Sequence, residues 1–157
     1  MKRPSWDDYF LKMALLAAER STCRRHHVGA VIVRDKRVLA TGYNGAAKGV
    51  VDCLELGCLR DERNIPSGTQ QEICRAIHAE QNAIIQASLH GVSTLNSTMY
   101  CTHSPCFICA KMIVNAGIKR MVSFTEYADN NFPELFREAE VEFEVLPMPD
   151  TGINYKP

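Results

Sequence analysis

The sequence lacks a long apolar run, an excess of charge and an export signal. No stretch of 18 apolar residues occurs, which excludes a membrane-spanning helix. The 18 Lys and Arg residues balance the 18 Asp and Glu residues, which argues against a protein whose main role is to follow a nucleic acid. The charged residues Asp7, Asp8 and Lys12 follow Met1 closely, so we expect no signal peptide and a cytoplasmic protein.

The cysteine content is the unusual part of an otherwise ordinary composition. The chain has 157 residues, of which 46% are hydrophobic and 23% are charged, as in a typical globular domain. We expect one domain over residues 1–157, with a Cys-containing loop insertion at about 44–74. Seven cysteines without an export signal point to metal ligands or catalysis rather than to disulfides.

Hydrophobic periodicity and turn residues predict an α/β fold. Ser5 is the expected N-cap of the first helix, and the segment Arg34 to Lys36 is the expected turn of a β-hairpin. The order of elements indicates a three-layer α/β/α sandwich around a five-stranded mixed sheet. The predicted elements are a helix over 5–20, strands over 28–33 and 37–43, a helix over 73–89, a strand over 98–102, a helix over 104–116, a strand over 118–124, a helix over 133–140 and a strand over 141–146.

Four residues at two predicted helix starts indicate a catalytic zinc site. Cys106 and Cys109 form a Cys-x-x-Cys at a helix N-terminus, where the helix dipole favours thiolates. His78 adds a third ligand, and three protein ligands leave the fourth zinc position open for chemistry. Glu80, two residues after His78, is the expected proton shuttle between the zinc-activated water and the substrate.

Each part of this pattern has a simpler interpretation when taken alone. A lone Cys-x-x-Cys is often a redox pair or half of a structural zinc site. A lone histidine at a helix start is more often a cap or a core residue. The combination of His-x-Glu with a later Pro-Cys-x-x-Cys is much more specific, because it is the known signature of zinc-dependent nucleobase deaminases.

The chain resembles deoxycytidylate (dCMP) deaminases of the bacterial and phage type, in the cytidine deaminase superfamily. The resemblance extends from about Trp6 to Leu146, and the segments that carry it are Val28–Val31, Gly42–Gly45, Cys74–Ala83 and Ser104–Lys111. It implies a cytidine deaminase-like fold and zinc-dependent hydrolysis of dCMP to dUMP and ammonia, which would supply thymidylate synthesis. The chain departs from the usual loop motif at Ala47, where related enzymes tend to have proline.

The resemblance also implies roles for individual residues. It implies His78, Cys106 and Cys109 as zinc ligands and Glu80 as the proton shuttle. The residues that it implies for substrate binding are Val28 beside the base, Asn44 at the sugar hydroxyl, Ala79 through its N–H at the base carbonyl, Ser104 through its carbonyl at the exocyclic amine, and Tyr127 near the sugar-phosphate.

Related enzymes are commonly hexamers that dCTP activates and dTTP inhibits, so the resemblance implies a homo-oligomer and these two effectors. The alternatives are another deaminase of the superfamily, acting on a modified dCMP, a nucleoside or a tRNA adenosine, and a zinc-stabilised nucleotide-binding module without catalysis. The zero net charge weighs against the tRNA substrate. A carboxylate at Glu80 weighs against the non-catalytic module.

The other five cysteines divide into one buried residue and a candidate metal cluster. Cys101 lies in a predicted strand and is expected to pack as a small hydrophobic residue. Some phage dCMP deaminases have a second, structural zinc, and Cys23 and Cys53 match two of its ligands. Cys58 and Cys74 complete a four-thiol site on chemical grounds alone. The alternative is a set of ordinary free cysteines.

A bound phosphate would need a cationic wall. The nearest cationic residues in the sequence are Arg24, Arg25 and Lys48, beside His26 and His27. A solvated cluster of charges is the alternative interpretation of this group. His103 precedes the Ser-Pro-Cys turn and is expected at the pocket rim.

Overall fold

A mixed sheet of five strands forms the centre of the protein. The structure is a computed structural model and describes residues 3–127, 129 and 131–151. Its strands are β1 (Gly29–Arg34), β2 (Arg37–Tyr43), β3 (Gly45–Ala46), β4 (Ala76–Ile77), β5 (Thr98–Cys101), β6 (Arg120–Ser123) and β7 (Glu142–Val145). The main sheet has the order β2-β1-β5-β6-β7. β1 pairs antiparallel with β2 and β5, whereas β5, β6 and β7 are parallel, so the predicted mixed sheet is confirmed.

Helices cover both faces of this sheet. They are α1 (Trp6–Ala18), α2 (Cys53–Leu56), α3 (Leu59–Glu62), α4 (Ala79–Leu89), α5 (Phe107–Asn115) and α6 (Pro133–Glu138). α1 packs on one face, and α4, α5 and α6 contribute to the core on the other face. The predicted three-layer α/β/α sandwich is therefore confirmed. Within the described residues, no helix combines the length and the apolar character that a bilayer crossing requires.

The start of α1 and the hairpin agree with the sequence. The Ser5 hydroxyl accepts a hydrogen bond from the Asp8 backbone N–H at 3.1 Å, which caps the helix as expected. Asp35 and Lys36 have φ angles of 51° and 61°, the left-handed values that a tight two-residue hairpin turn requires. Phe10 and Leu11 of α1 are buried against the sheet.

The segment between β2 and α4 has more structure than the sequence indicated. It contains α2, α3, a 3₁₀ turn over Gln71–Ile73 and the short β3–β4 ladder. The prediction that a helix begins near residue 73 was wrong, because α4 begins at Ala79. Ala76 and Ile77 pair with β3 across the sequence, and this long-range pairing overrides the local helical pattern.

The helix that follows Cys106 also begins later than expected. Cys106, not Ser104, is its N-cap, and the Cys106 sulfur accepts from the Cys109 N–H at 3.4 Å. The Ser104 hydroxyl is occupied elsewhere, since it accepts a 2.7 Å hydrogen bond from the Tyr127 N–H. The Ser104 N–H donates to the Thr125 carbonyl at 2.8 Å, which keeps Ser104 in extended backbone.

Gly42 allows α4 to lie directly on β2. A β-carbon at this position would lie 2.3 Å from the Ala79 carbonyl oxygen and 2.5 Å from the Ala83 nitrogen. Both atoms belong to the first turn of α4, the turn that follows His78. A glycine at this point of β2 thus determines how close the N-terminal end of α4 lies to the sheet.

Candidate metal centre and active-site pocket

Three side chains from two helix starts converge at the floor of a pocket. His78 is the N-cap of α4, and its backbone N–H donates to the Gln81 side chain at 2.9 Å. Cys106 is the N-cap of α5, and Cys109 lies in the first turn of that helix. The His78 Nδ1 atom lies 3.5 Å from the Cys106 sulfur and 3.3 Å from the Cys109 sulfur.

These distances fit a tetrahedral zinc ion. Zinc–sulfur bonds of about 2.3 Å and zinc–nitrogen bonds of about 2.0 Å at tetrahedral angles separate the N and S ligand atoms by about 3.5 Å. The three ligand atoms here all lie within 4.8 Å of one another. Two thiols and one imidazole are the donor set that zinc prefers, and three protein ligands leave one position open. The predicted catalytic zinc site is therefore assembled in the fold.

The electrostatics favour thiolate at this position before any metal binds. The Cys109 thiol and, more weakly, His78 hydrogen-bond to the Cys106 sulfur and lower the pKa of Cys106 to about 4. The same contact raises the pKa of Cys109, so Cys106 is the thiol that ionises more readily. Burial lowers the pKa of His78, but the hydrogen bond to Cys106 and the charge of Glu80 outweigh it, and the net pKa is raised.

Glu80 lies beside the three ligands. Its side chain lines the same pocket and only 4% of the residue is exposed. Burial is the main reason why the pKa of Glu80 is raised to about 7. A carboxyl group with this pKa can both hold and release a proton near neutral pH.

A pocket lies beside these side chains, and residues of several elements line it. The five residues that the sequence analysis assigned to substrate binding all line it; they are Val28, Asn44, Ala79, Ser104 and Tyr127. His103, expected at the rim, also belongs to the lining and is 5% exposed.

Asn44 connects the wall of the pocket to the first strand. Its Oδ1 accepts from the Val28 N–H at 2.9 Å and from the Ser21 hydroxyl, and its Nδ2 donates to the His26 carbonyl at 2.8 Å. The amide therefore determines where the backbone of Val28 and His26 lies. Asn44 itself is 7% exposed, which leaves part of the amide accessible from the pocket.

The four cysteines of the predicted second site meet on another side of the pocket. Cys23, Cys53, Cys58 and Cys74 all line it, and all four are free thiols. Burial raises the pKa of the Cys53 thiol, and the neighbouring Cys23, Cys74 and Cys58 raise it further. Their sulfurs are more widely spaced than the His78 group, since that group is the only set of three ligand atoms within 4.8 Å among the described residues. The four thiols thus share one pocket, but they do not form a compact ligand set like that of His78.

The cationic residues around the pocket differ from those that the sequence singled out. Arg25 lines the pocket, but Arg24 does not, and Lys48 lines a separate cavity beside β2 and α4. Sequence reasoning missed Arg60, a buried arginine of α3 that belongs to the lining. The only sequence signal was its place two residues after Cys58, within the segment that had no recognisable periodicity.

Comparison with known proteins places this site in a family. A sequence model described as the cytidine and deoxycytidylate deaminase zinc-binding region matches residues 4–125. The chain belongs to this deaminase family. Its relatives include ComE operon protein 2 of Bacillus subtilis, which is 42% identical over 157 residues, covering 99% of this chain and 79% of the relative.

Other members of the deaminase family are similar over most of the chain. The deoxycytidylate deaminase of Schizosaccharomyces pombe is 41% identical over 152 residues, or 96% of this chain, and the chain spans 47% of that relative's length. The crystal structure of the cyanophage S-TIM5 dCMP deaminase in complex with dCMP and dUMP superposes with a TM-score of 0.77 and 32% identity. That comparison covers 93% of this chain and all of the phage chain. The cytidine deaminase-like fold implied by the sequence is therefore confirmed.

Proposed function

We propose that this protein hydrolyses dCMP to dUMP and ammonia and thereby supplies dUMP for thymidylate synthesis. The observation that carries the proposal is the convergence of His78, Cys106 and Cys109 with the buried carboxyl group of Glu80 at the floor of one pocket. The names of the fission-yeast and cyanophage relatives support dCMP as the substrate.

The reaction requires a nucleophile and a group that moves protons. A zinc ion held by His78, Cys106 and Cys109 would lower the pKa of a bound water and so supply the nucleophile at C4 of cytosine. Glu80 is the only carboxyl group in the pocket lining of the described residues. We assign it the transfer of protons from the attacking water to N3 and then to the departing amine.

The remaining proposed contacts orient the nucleotide. Val28 would flank the base, and the Ala79 N–H would donate to the base carbonyl. The Ser104 carbonyl would accept from the exocyclic amine, Asn44 would bind the sugar hydroxyl, and Tyr127 would lie near the sugar-phosphate. Their common place in the pocket lining supports these assignments.

The test is an absorbance assay that follows loss of the cytosine band with dCMP, deoxycytidine, cytidine and dCTP. We expect dCMP to be the best substrate. Replacement Glu80→Gln should lower kcat by about 10²- to 10⁴-fold while zinc content is retained. Glu72→Gln, an exposed carboxylate outside the pocket lining, is the matched control. Turnover of another substrate without turnover of dCMP would overturn the proposal, and an active Glu80→Gln enzyme would overturn the role of Glu80.

We also propose a structural zinc held by Cys23, Cys53, Cys58 and Cys74. The proximity of the four free thiols supports it, because zinc could draw them into a closed tetrahedral site. Such a site would tie α2, α3 and the start of β4 to the end of α1. α2 and α3 each have a single buried residue, so a metal would supply stability that packing does not.

Metal analysis after dialysis against a weak chelator tests the second zinc. We expect two zinc ions per chain in the wild-type protein and one in Cys53→Ser. Cys101→Ser, a change in a buried cysteine of β5 away from the four thiols, should leave the stoichiometry at two. One zinc per chain in the wild type would contradict the proposal.

Oligomer formation and effector binding belong to the same proposal. We propose a homo-oligomer, a hexamer by family resemblance, with dCTP as activator and dTTP as inhibitor. Trp6, Tyr9 and Leu16 of α1 are 42%, 41% and 60% exposed, which supports burial of this helix face in an assembly. Light scattering measures the assembly, and activity titrations with dCTP and dTTP measure the regulation. A monomer without any response to either nucleotide would contradict both parts.

A further inference from the structure

Arg60 is a buried arginine that no acidic residue neutralises within the part of the chain that the structure describes. It is 7% exposed, and its Nη2 donates to the carbonyl oxygens of Pro66 at 2.8 Å and Thr69 at 2.9 Å. Its Nε is buried and has no hydrogen-bond acceptor among the residues that the structure describes. Within the same residues, no carboxylate forms a salt bridge with it. A buried positive charge without a counter-charge lowers the stability of the fold unless a bound anion neutralises it.

Arg60 lines the active-site pocket. Its positive charge acts on His78 and on the Tyr127 hydroxyl, which belong to the same lining. The zinc ligands and Glu80 are suited to the base. Arg60 therefore supplies positive charge that remains for the rest of a nucleotide.

The other cation of this wall is already paired. Arg25 forms an ion pair with Asp61 at 3.5 Å and donates to the Ile65 carbonyl and the Ser67 hydroxyl at 2.9 and 3.1 Å. The Arg25 guanidinium thus has acceptors at all three of its nitrogens. Arg60, in contrast, makes no ion pair with a carboxylate among the residues that the structure describes.

We propose that Arg60 binds the 5′-phosphate of the substrate and is the residue that makes the enzyme select a nucleotide over a nucleoside. This assignment rests on the proposed function, since it concerns the phosphate of the same substrate. A phosphate dianion offers oxygen acceptors that match the planar donor group of arginine, and it would neutralise the buried charge. The Pro66 and Thr69 carbonyls would hold the guanidinium in place before the phosphate arrives.

The competing interpretation is that Arg60 only ties its own loop together. Its two bonds to Pro66 and Thr69 would serve that purpose, but an uncharged donor could make them equally well. Arg60→Gln keeps an amide N–H₂ group and removes the charge, so it separates the two roles. Arg63→Gln is the matched control, because Arg63 is exposed and lies at the C-terminal end of the same helix.

Equilibrium binding of dUMP and deoxyuridine tests the proposal without turnover. In the wild-type zinc-loaded protein, we expect dUMP to bind about 10- to 100-fold more tightly than deoxyuridine, from one or two charge-assisted hydrogen bonds. Arg60→Gln should lose most of this preference, and Arg63→Gln should keep it. A wild-type protein that binds both ligands equally, or an Arg60→Gln protein that keeps the full preference for dUMP, overturns the assignment.

Steady-state kinetics give a second readout. The ratio of kcat/KM for dCMP to that for deoxycytidine should fall about 10- to 100-fold in Arg60→Gln. An equal loss with both substrates would show that Arg60 only maintains the loop and would overturn the proposal. A wild-type enzyme that deaminates neither substrate would end the proposed function, while the binding data would still decide the role of Arg60.

A lysine variant keeps the proposal testable if the glutamine variant unfolds. Arg60→Lys retains the charge but loses the planar donor group, so its preference for dUMP should lie between that of the wild type and no preference. Thermal unfolding with and without dUMP measures that preference in any variant that folds. A lysine variant that dUMP and deoxyuridine stabilise equally would contradict a phosphate-binding role.

Discussion

Addition of one methyl group at Gly42 should displace the N-terminal end of α4. In Gly42→Ala, the new β-carbon would lie 2.3 Å from the Ala79 carbonyl oxygen, whereas ordinary van der Waals contact begins at 3.4 Å. The helix must therefore move away from β2 by roughly 1 Å, since both obstructing atoms are backbone atoms of α4. His78 precedes Ala79 and moves with it.

The displacement has two measurable consequences. Overpacking of this kind costs about 1–3 kcal/mol of unfolding free energy. The zinc ligands are spaced at 3.3–3.5 Å between His78 and the two cysteines of α5, so a shift of α4 alone disturbs the set. Loss of ligand alignment typically weakens metal binding about 10- to 100-fold, and we expect a similar loss of zinc affinity in Gly42→Ala.

Competition with a chromophoric chelator measures the zinc affinity, and urea unfolding measures the stability. Gly29→Ala is the matched comparison, because its β-carbon would lie 2.0 Å from the Ala14 carbonyl oxygen of α1, on the opposite face of the sheet. That variant should lose stability but keep a zinc affinity close to the wild-type value. A folded Gly42→Ala protein with wild-type zinc affinity would refute the reasoning.

Two further predictions concern stability. Asp7 accepts hydrogen bonds from Tyr100 at 2.7 Å and Arg120 at 2.9 Å, so Asp7→Asn should cost about 1–2 kcal/mol in urea unfolding, whereas Glu134→Gln, in an exposed ion pair, should change little. Burial and a nearby histidine lower the pKa of His103 to about 4, so the unfolded state binds more protons than the folded state between pH 6.5 and 4. Stability should fall by up to about 3 kcal/mol as pH drops through that range, and His103→Gln should fall by less; equal losses in both proteins would contradict the prediction.

The elements with local signals were predictable from the sequence. The Ser5 cap, the hairpin turn at Asp35 and Lys36, and the position of Gly91 just after α4 depend on residues a few positions apart. The zinc ligands were predictable because His-x-Glu and Pro-Cys-x-x-Cys are short motifs, although both helices begin later than the sequence indicated. Cys101 is fully buried, as its strand position indicated.

The two helix starts were predicted wrongly because residues near them form hydrogen bonds with partners far away in the sequence. Ser104 looks like a helix cap in the sequence, but its hydroxyl accepts from the Tyr127 N–H, and Cys106, two residues later, is the N-cap. Residues 73–77 continue an apolar pattern into α4, but Ala76 and Ile77 pair with β3. A pairing partner thirty residues away leaves no mark in a short sequence window.

Arg60 was not predicted as a pocket residue, because the segment around it has no recognisable sequence pattern. The α2–α3 segment has few core residues, and one of its contacts is the ion pair between Arg25 and Asp61. A segment held mainly by polar contacts has no hydrophobic period, so its sequence resembles a loop. A segment with few core residues lowers the stability of the fold. Such losses of stability are common at ligand-binding sites. A buried arginine that lines the pocket, without a carboxylate partner among the described residues, is therefore better explained by an anionic ligand than by packing.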